Sequence, residues 1–191
     1  MTLRIRTLAF AVPAAFALAL SLSACASPAT EPDSASTPSA SDAPAASGVA
    51  TTGACDGDEG VTVVVDTGDL DVSDDPSGEW CVSADDAIGA ADALAATGVT
   101  TEGTEEYGDQ IVCRVNGVPS EDTALEGDDG TVVHEECQSM PPAFAYWSLW
   151  TKPAGGEWGY AEEGLSTLQL EPGDGVQLLF VLNNEPAAPS A

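Results

Sequence analysis

Ala143-Phe-Ala-Tyr-Trp-Ser-Leu-Trp-Thr-Lys-Pro-Ala-Gly-Gly-Glu-Trp-Gly-Tyr160 holds six of the nine aromatic residues that lie beyond residue 25. It predicts two strands and a tight turn. Phe144 to Trp150 alternates as a strand, Lys152-Pro-Ala-Gly-Gly156 supplies turn chemistry, and Trp158 and Tyr160 alternate on the return. With a side-chain period of two, Phe144, Tyr146, Ser148 and Trp150 fall on one face and Ala145, Trp147 and Leu149 on the other. One face must cover a core. The opposite face then carries Tyr146 and Trp150, with Trp158 and Tyr160 across the pair, in stacking reach of a flat ligand. The alternative is that loops cover both faces and every aromatic is core. An exposed aromatic patch of this kind marks a contact site.

Outward from the hairpin, other segments carry strand signals. Val61 to Asp66 is a β-branched run, Glu79 to Val82 is a short strand returning beside it, and Gln110 to Gly117 places Ile111, Cys113 and Val115 on one face. Val176, Leu178, Phe180 and Leu182 share one face of a last strand that follows the turn Glu171-Pro-Gly-Asp-Gly175. Ser83-Ala-Asp-Asp86 has the form of a helix start, with a hydroxyl cap and acids in the first turn. The pattern predicts a helix of about fourteen residues with Ile88, Ala91, Leu94 and Ala95 on the buried face, closed by Gly98. Pro119 to Glu136 is acidic and Gly-containing, and reads as a long exposed loop. The whole is an α+β domain spanning residues 54 to 183, followed by a disordered tail over 184–191.

The N-terminal quarter differs in kind. Residues 1–24 read as an export signal, with Arg4 and Arg6 in the basic region and Leu8 to Leu22 as the apolar stretch, too short and Ala-rich for a spanning helix. Leu22-Ser-Ala-Cys25 resembles the bacterial lipobox, in which the cysteine is acylated before cleavage. Two or more acyl chains on Cys25, each buried methylene worth about 0.8 kcal/mol, suffice for stable attachment. Residues 25–53 are rich in Ser, Ala, Pro and Thr without apolar periodicity, the composition of a disordered tether with an r.m.s. reach of about 30 Å.

The full chain of 191 residues carries a net charge of −28. Removing the signal leaves Arg114 and Lys152 as the only Arg or Lys against 32 acids. Such a surface repels phosphate backbones and anionic head groups, so nucleic acid is excluded as a partner and membrane attachment falls to lipid rather than charge. Four cysteines remain once Cys25 is acylated: Cys55, Cys81, Cys113 and Cys137. An even number in an exported chain argues for two disulfides, and four cysteines allow three pairings. The favoured one is Cys55–Cys81 and Cys113–Cys137, each loop closure worth on the order of 3 kcal/mol. No Cys-x-x-Cys spacing points to zinc. The acidic loops at 56–60, 66–75 and 126–130 lack the Asp-x-Asp-x-Asp-Gly calcium pattern, so no metal or cofactor is expected.

Catalytic chemistry finds little purchase. His134 is the single histidine, and Gly164-Leu-Ser-Thr-Leu168 lacks the second glycine of a nucleophile elbow. No carboxylate pair stands out, so no catalytic residue is assigned and no enzyme is expected. Arg114, mid-strand, pairs with an acid or holds an anionic ligand.

The combination Cys113-Arg-Val-Asn-Gly117, Tyr146-Trp-Ser-Leu-Trp150 and Trp158-Gly-Tyr-Ala161, with the helix ending Ala93-Leu-Ala-Ala-Thr-Gly98 and the Gly173-Asp174 turn, resembles small actinobacterial surface proteins. These are similar to the C-terminal β domain of transcobalamin and intrinsic factor. The resemblance covers residues 58 to 182. It implies a β-grasp-like mixed sheet with one covering helix and a non-catalytic binding role on the outer face of the cell membrane. There the domain would present a small ligand, corrinoid-like or another flat cofactor, to an importer or sensor. The ligand-contact candidates are Tyr146, Trp150, Trp158, Tyr160 and Arg114. The alternative is a cell-envelope module that docks a protein partner and takes no small ligand.

Overall fold

A computed structural model describes residues 49–190; the expected signal, Cys25 and most of the expected tether lie outside them. Among the described residues the strands are β1 (Ala50–Thr52), β2 (Gly60–Asp66), β3 (Gly78–Ser83), β4 (Ile88–Gly89), β5 (Thr101–Thr104), β6 (Gly108–Val115), β7 (Leu125–Glu126), β8 (Val132–Val133), β9 (Ala145–Lys152), β10 (Gly159–Tyr160), β11 (Gln169–Leu170) and β12 (Gly175–Leu182), and one helix, α1 (Ala90–Ala96), follows β4. The fold class is α+β, as expected, and mostly strand.

Six strands form one mixed sheet in the order β1-β3-β2-β12-β9-β10. β12 is central, parallel to β2 and antiparallel to β9. Its burial explains its composition: Val176-Gln-Leu-Leu-Phe-Val181 is buried at every position, because neither face of a central strand reaches water. On the front face Val61, Val63, Val65, Val82, Val176, Leu178, Phe180, Ala145 and Trp147 form the core with Ala90, Ala93 and Leu94 of α1. Trp147 meets Phe180 edge-on at 5.3 Å, and its indole N–H donates to the Val118 carbonyl at 3.0 Å. This settles the polarity of the hairpin. The Ala145–Trp147–Leu149 side covers the core.

The helix is half its expected length. Ile88 and Gly89 pair with Leu170 and Gln169 instead of coiling, so Gly89 becomes an N-cap without a side-chain bond. The phase shifts accordingly: Ala90, Ala93 and Leu94 are buried, whereas Ala91 and Ala95 face out. The close is as expected, with Gly98 at φ +83° donating to Ala95. The compositional boundary at residue 54 also moves, since Ala50–Thr52 hydrogen-bonds to β3 as an edge strand. The 119–136 excursion is not wholly exposed. It carries the β7–β8 ladder and sends Leu125 into the core. Asn183 and Asn184, both at positive φ (55° and 67°), reverse the chain after β12 so that Leu182 and Glu185 bond reciprocally. The described residues of the expected disordered tail, 184–190, instead fold back. A Cβ on Gly68 would come within 2.6 Å of Pro186. No described helix is long and apolar enough to cross a membrane.

Two disulfides staple this framework. Cys55–Cys81 spans a Cα distance of 4.7 Å and Cys113–Cys137 one of 5.5 Å. The pairing is the favoured one of the three.

Candidate functional site

The back face of the sheet is where the hairpin's second set of side chains goes. Pairing register defines it row by row. Glu79 lies opposite Val64, Val64 opposite Gln177, Gln177 opposite Trp150, and Trp150 opposite Tyr160, one continuous line across five strands. The next row toward the hairpin turn runs Cys81, Thr62, Gly175, Lys152. On the other side come Asp66, Leu179 and Ser148, and then Val181 and Tyr146.

The aromatic end of these rows is a small second core. Trp150, Leu179 and Val181 are buried together, with Tyr146 and Trp158 packed against them. Tyr160 stacks on Trp150 at 3.9 Å with 27° between the planes. The Trp150 indole N–H donates to Ser148 Oγ at 2.9 Å, and Ser148 Oγ donates to the Leu179 carbonyl at 2.8 Å. The indole is thereby pinned under Tyr160 with its polar edge satisfied. Burial first, then the neighbouring Tyr160 hydroxyl, pushes the Tyr146 phenol above its usual pKa range.

Four of the five residues singled out as ligand contacts therefore meet on one face: Tyr146, Trp150, Trp158 and Tyr160. Their roles differ from the expectation. Trp150 is only 5 % exposed, covered by the Tyr160 ring, while Tyr160 is 58 % exposed. The aromatic surface on offer is Tyr160, not Trp150. Trp158 does not belong to the return strand, which is limited to Gly159 and Tyr160, so its ring is free to lie over Gly175. Where β10 stops, a hollow of about 420 Å³ opens, lined by Ile111, Tyr146, Tyr160, Ala161 and Leu165 among others.

Arg114 lies apart. It is 6 % exposed, and its guanidinium donates to the Pro119 carbonyl at 2.9 Å, the Glu135 carbonyl at 2.6 Å and Glu102 Oε2 at 3.0 Å. Every face of the fork is used inside the protein, so it anchors the excursion rather than awaiting an anion. Cys113, Glu135 and Cys137 cluster beside it, but both sulfurs are in the disulfide and Glu135 Oε1 accepts the Cys137 N–H at 2.8 Å. No thiolate is left to ligate a metal. His134 is exposed, its Nδ1 3.1 Å from the Glu121 carbonyl.

A second concavity occupies the other half of the back face, a trough of about 590 Å³ whose lining includes Thr62, Val64, Asp66, Glu79, Trp158 and Gln177. Of its lining, sequence reasoning reached Trp158 as an aromatic, Lys152 as one of two cations, and Asp58 and Asp66 only as parts of acidic loops weighed for calcium; Glu79 and Gln177 were not singled out. The signal was nonetheless present. In Val176-Gln-Leu-Leu-Phe-Val-Leu182, one amide interrupts a strand apolar on both faces, and a polar residue in a doubly buried strand calls for a partner.

No family model matches this chain, and no curated protein and no solved structure matches it.

Proposed function

We propose that this chain is a lipid-anchored, extracytoplasmic, non-catalytic binding module that presents a small flat ligand, corrinoid-like or of similar shape, to a membrane importer or sensor. The observation that carries this is the convergence of Tyr146, Trp150, Trp158 and Tyr160 on the back face of the sheet, with Tyr160 open to solvent beside a hollow. Open aromatic surface next to a concavity is how small ligands are held. The domain is β-grasp-like, akin to the C-terminal β domain of transcobalamin and intrinsic factor. In support, a first hairpin (β2–β3) lies beside a last strand running parallel to its first arm, with a helix between. Two disulfides suit an oxidising compartment. The anchor rests on the lipobox at Cys25.

The test is a thermal-shift panel on the purified full-length protein, disulfides intact, against corrinoids, haem and other flat cofactors. A ligand at 100 times its Kd stabilises the fold by about 2.7 kcal/mol, which a melt resolves. Tyr160→Ala is expected to weaken binding of the responding compound about two- to tenfold, an aromatic stack being worth about 0.5–1.5 kcal/mol. If the affinity is unchanged, the contact face is misplaced. A flat panel on a cleanly folded protein would favour an envelope module that docks a protein partner.

A further inference from the structure

We propose that the trough beside the aromatic face is a second site, and that it takes an organic cation: an ammonium group on an amide- or carbonyl-bearing body. This rests on the back face being a binding surface, and adds the chemistry of its other half.

The trough is built, not incidental. Cys81 points to the back face, and its disulfide draws the β1–β2 loop over the sheet as one wall; Cys55 N–H then donates to Thr62 Oγ1 at 3.0 Å. The opposite wall is the hairpin turn, held where Ala154 N–H donates to Asp174 Oδ1 at 3.0 Å. Gly175 in the floor has a purpose. A Cβ there would stand 3.0 Å from the Trp158 ring, tighter than ordinary contact, so glycine lets the indole approach the sheet closely without displacement. Ser190 of the folded-back tail closes part of the rim.

Gln177 is the decisive residue. It is 3 % exposed and sits in the trough floor, and among the described residues its side-chain amide has no hydrogen-bond partner. The amide is not sealed off, since no described buried side-chain atom is both sealed and unpaired, and Gln177 lines the trough. Its neighbours on the same face of β12, Leu179 and Val181, are apolar and fully packed. Packing alone would put leucine here. An amide in this place is suited to exchange hydrogen bonds with an amide or carbonyl of something bound.

Charge names the rest. Asp58, Asp66, Glu79 and Asp174 line the trough against one ammonium, Lys152. Asp174 is occupied with the Ala154 and Glu171 N–H groups, but Glu79 has no partner among the described residues, and Asp66 uses one oxygen for Gly68 N–H. Anions are repelled and cations gathered. A bare metal ion does not fit. Among the described residues no three trough carboxylates bring oxygens within 4.8 Å of one another. Acids spread along a wall suit an extended organic cation, and the indole wall suits one too: Lys152 Nζ already lies 5.7 Å from the Trp158 ring centroid. The volume is that of a small-molecule site.

The probe is N-acetyl-lysine methylamide, titrated into the full-length protein by tryptophan fluorescence and NMR line shifts. Its side-chain-acetylated, uncharged counterpart is the control. The charged probe is expected to bind at least about tenfold more tightly than the neutral one. Glu79→Gln and Gln177→Leu should each weaken it about five- to tenfold, the loss of one charged or buried hydrogen bond, while Asp128→Asn in the distant β7–β8 loop should leave it unchanged. Equal binding of the two probes overturns the proposal. So does equal weakening by Glu79→Gln and Asp128→Asn, which would reduce the effect to diffuse charge. Glu79 is exposed, so its variant carries the test even if Gln177→Leu misfolds. A lysine probe that fails while a flat ligand binds and depends on Tyr160 sinks this site alone. Failure of both sinks the binding-module reading with it.

Discussion

Ser148→Ala tests whether the aromatic cluster is as closed as its geometry says. Ser148 is a relay, accepting the Trp150 indole N–H at 2.9 Å and donating to the Leu179 carbonyl at 2.8 Å. Both residues are buried, and Tyr160 roofs the indole at 3.9 Å. Removing the hydroxyl leaves the N–H without an acceptor in a place water does not easily reach, a penalty of about 1–3 kcal/mol. For a domain of this size each kcal/mol moves Tm by roughly 3–5 °C, so a penalty of about 1–3 kcal/mol should lower the melt by about 3–15 °C. Trp150→Phe keeps a ring against Tyr160 but removes the donor. In that background Ser148→Ala should cost about 1 kcal/mol less than in the wild type. The assay is a double-mutant cycle by far-UV circular dichroism melts, disulfides intact, with two-state behaviour checked by a second probe. Costs that add within about 0.3–0.5 kcal/mol would mean that water already satisfies the Trp150 N–H. The face would then be open at Trp150, and the reasoning that makes Tyr160 the exposed contact would be wrong.

Cys25→Ser should move the protein from the membrane fraction to the soluble fraction and abolish fatty-acid labelling; retention on the membrane would remove lipid as the anchor. Asp75 gives a pH signature. The Ser77 hydroxyl first and the Ser77 N–H second hold its carboxyl below the usual range; burial opposes them, and the Thr67 hydroxyl adds a smaller lowering effect. A depressed folded pKa contributes stability that is present above the unfolded value of about 3.9 and lost as pH falls through the folded one. Asp75→Asn should therefore lower Tm at pH 6, with the gap to wild type closing below about pH 4; a pH-independent gap would place its effect in packing instead.

Much of the fold was legible because the sheet repeats its period without interruption. Val61–Asp66, the aromatic hairpin and Val176–Leu182 carry strand signals strong enough that the strands themselves, and the sorting of Trp147 and Trp150 onto opposite faces, follow from spacing; the order of the strands and the choice of which hairpin face covers the core do not. What failed were the places where a tertiary partner overruled a local signal. Ser83-Ala-Asp-Asp86 looks like a helix cap, yet Ile88 and Gly89 are claimed by Leu170 and Gln169, eighty residues away in round terms, and the helix starts late. Ala50–Thr52 has the composition of the tether before it, and only the free edge of β3 makes it a strand. Arg114 illustrates the same limit at a site. Its sequence context said only that a scarce cation sits mid-strand; that two carbonyls and an acid converge on it depends on how the excursion folds.

The candidate site divides along the same line. Alternation identified which aromatics share a face, but exposure on that face is decided across strands, by β10 setting Tyr160 over Trp150. The trough was missed for a more instructive reason. Strand signals are read from apolar residues, and Gln177 was passed over because it broke none of the periodicity carried by Val176, Leu178 and Phe180. Yet a strand whose other face reads Gln, Leu, Val must bury that face as well, and in a doubly buried strand the polar residue is the anomaly. Packing can place Leu179 and Val181 there. It has no use for an amide beside Val64 and Trp150, in a floor walled by a disulfide-stapled loop and by an indole packed close against Gly175. The residues that make the sheet stable and the residue that gives its back face a chemistry are thus separable in the sequence itself, the first by their period and the second by being the one side chain on β12 that the period does not explain.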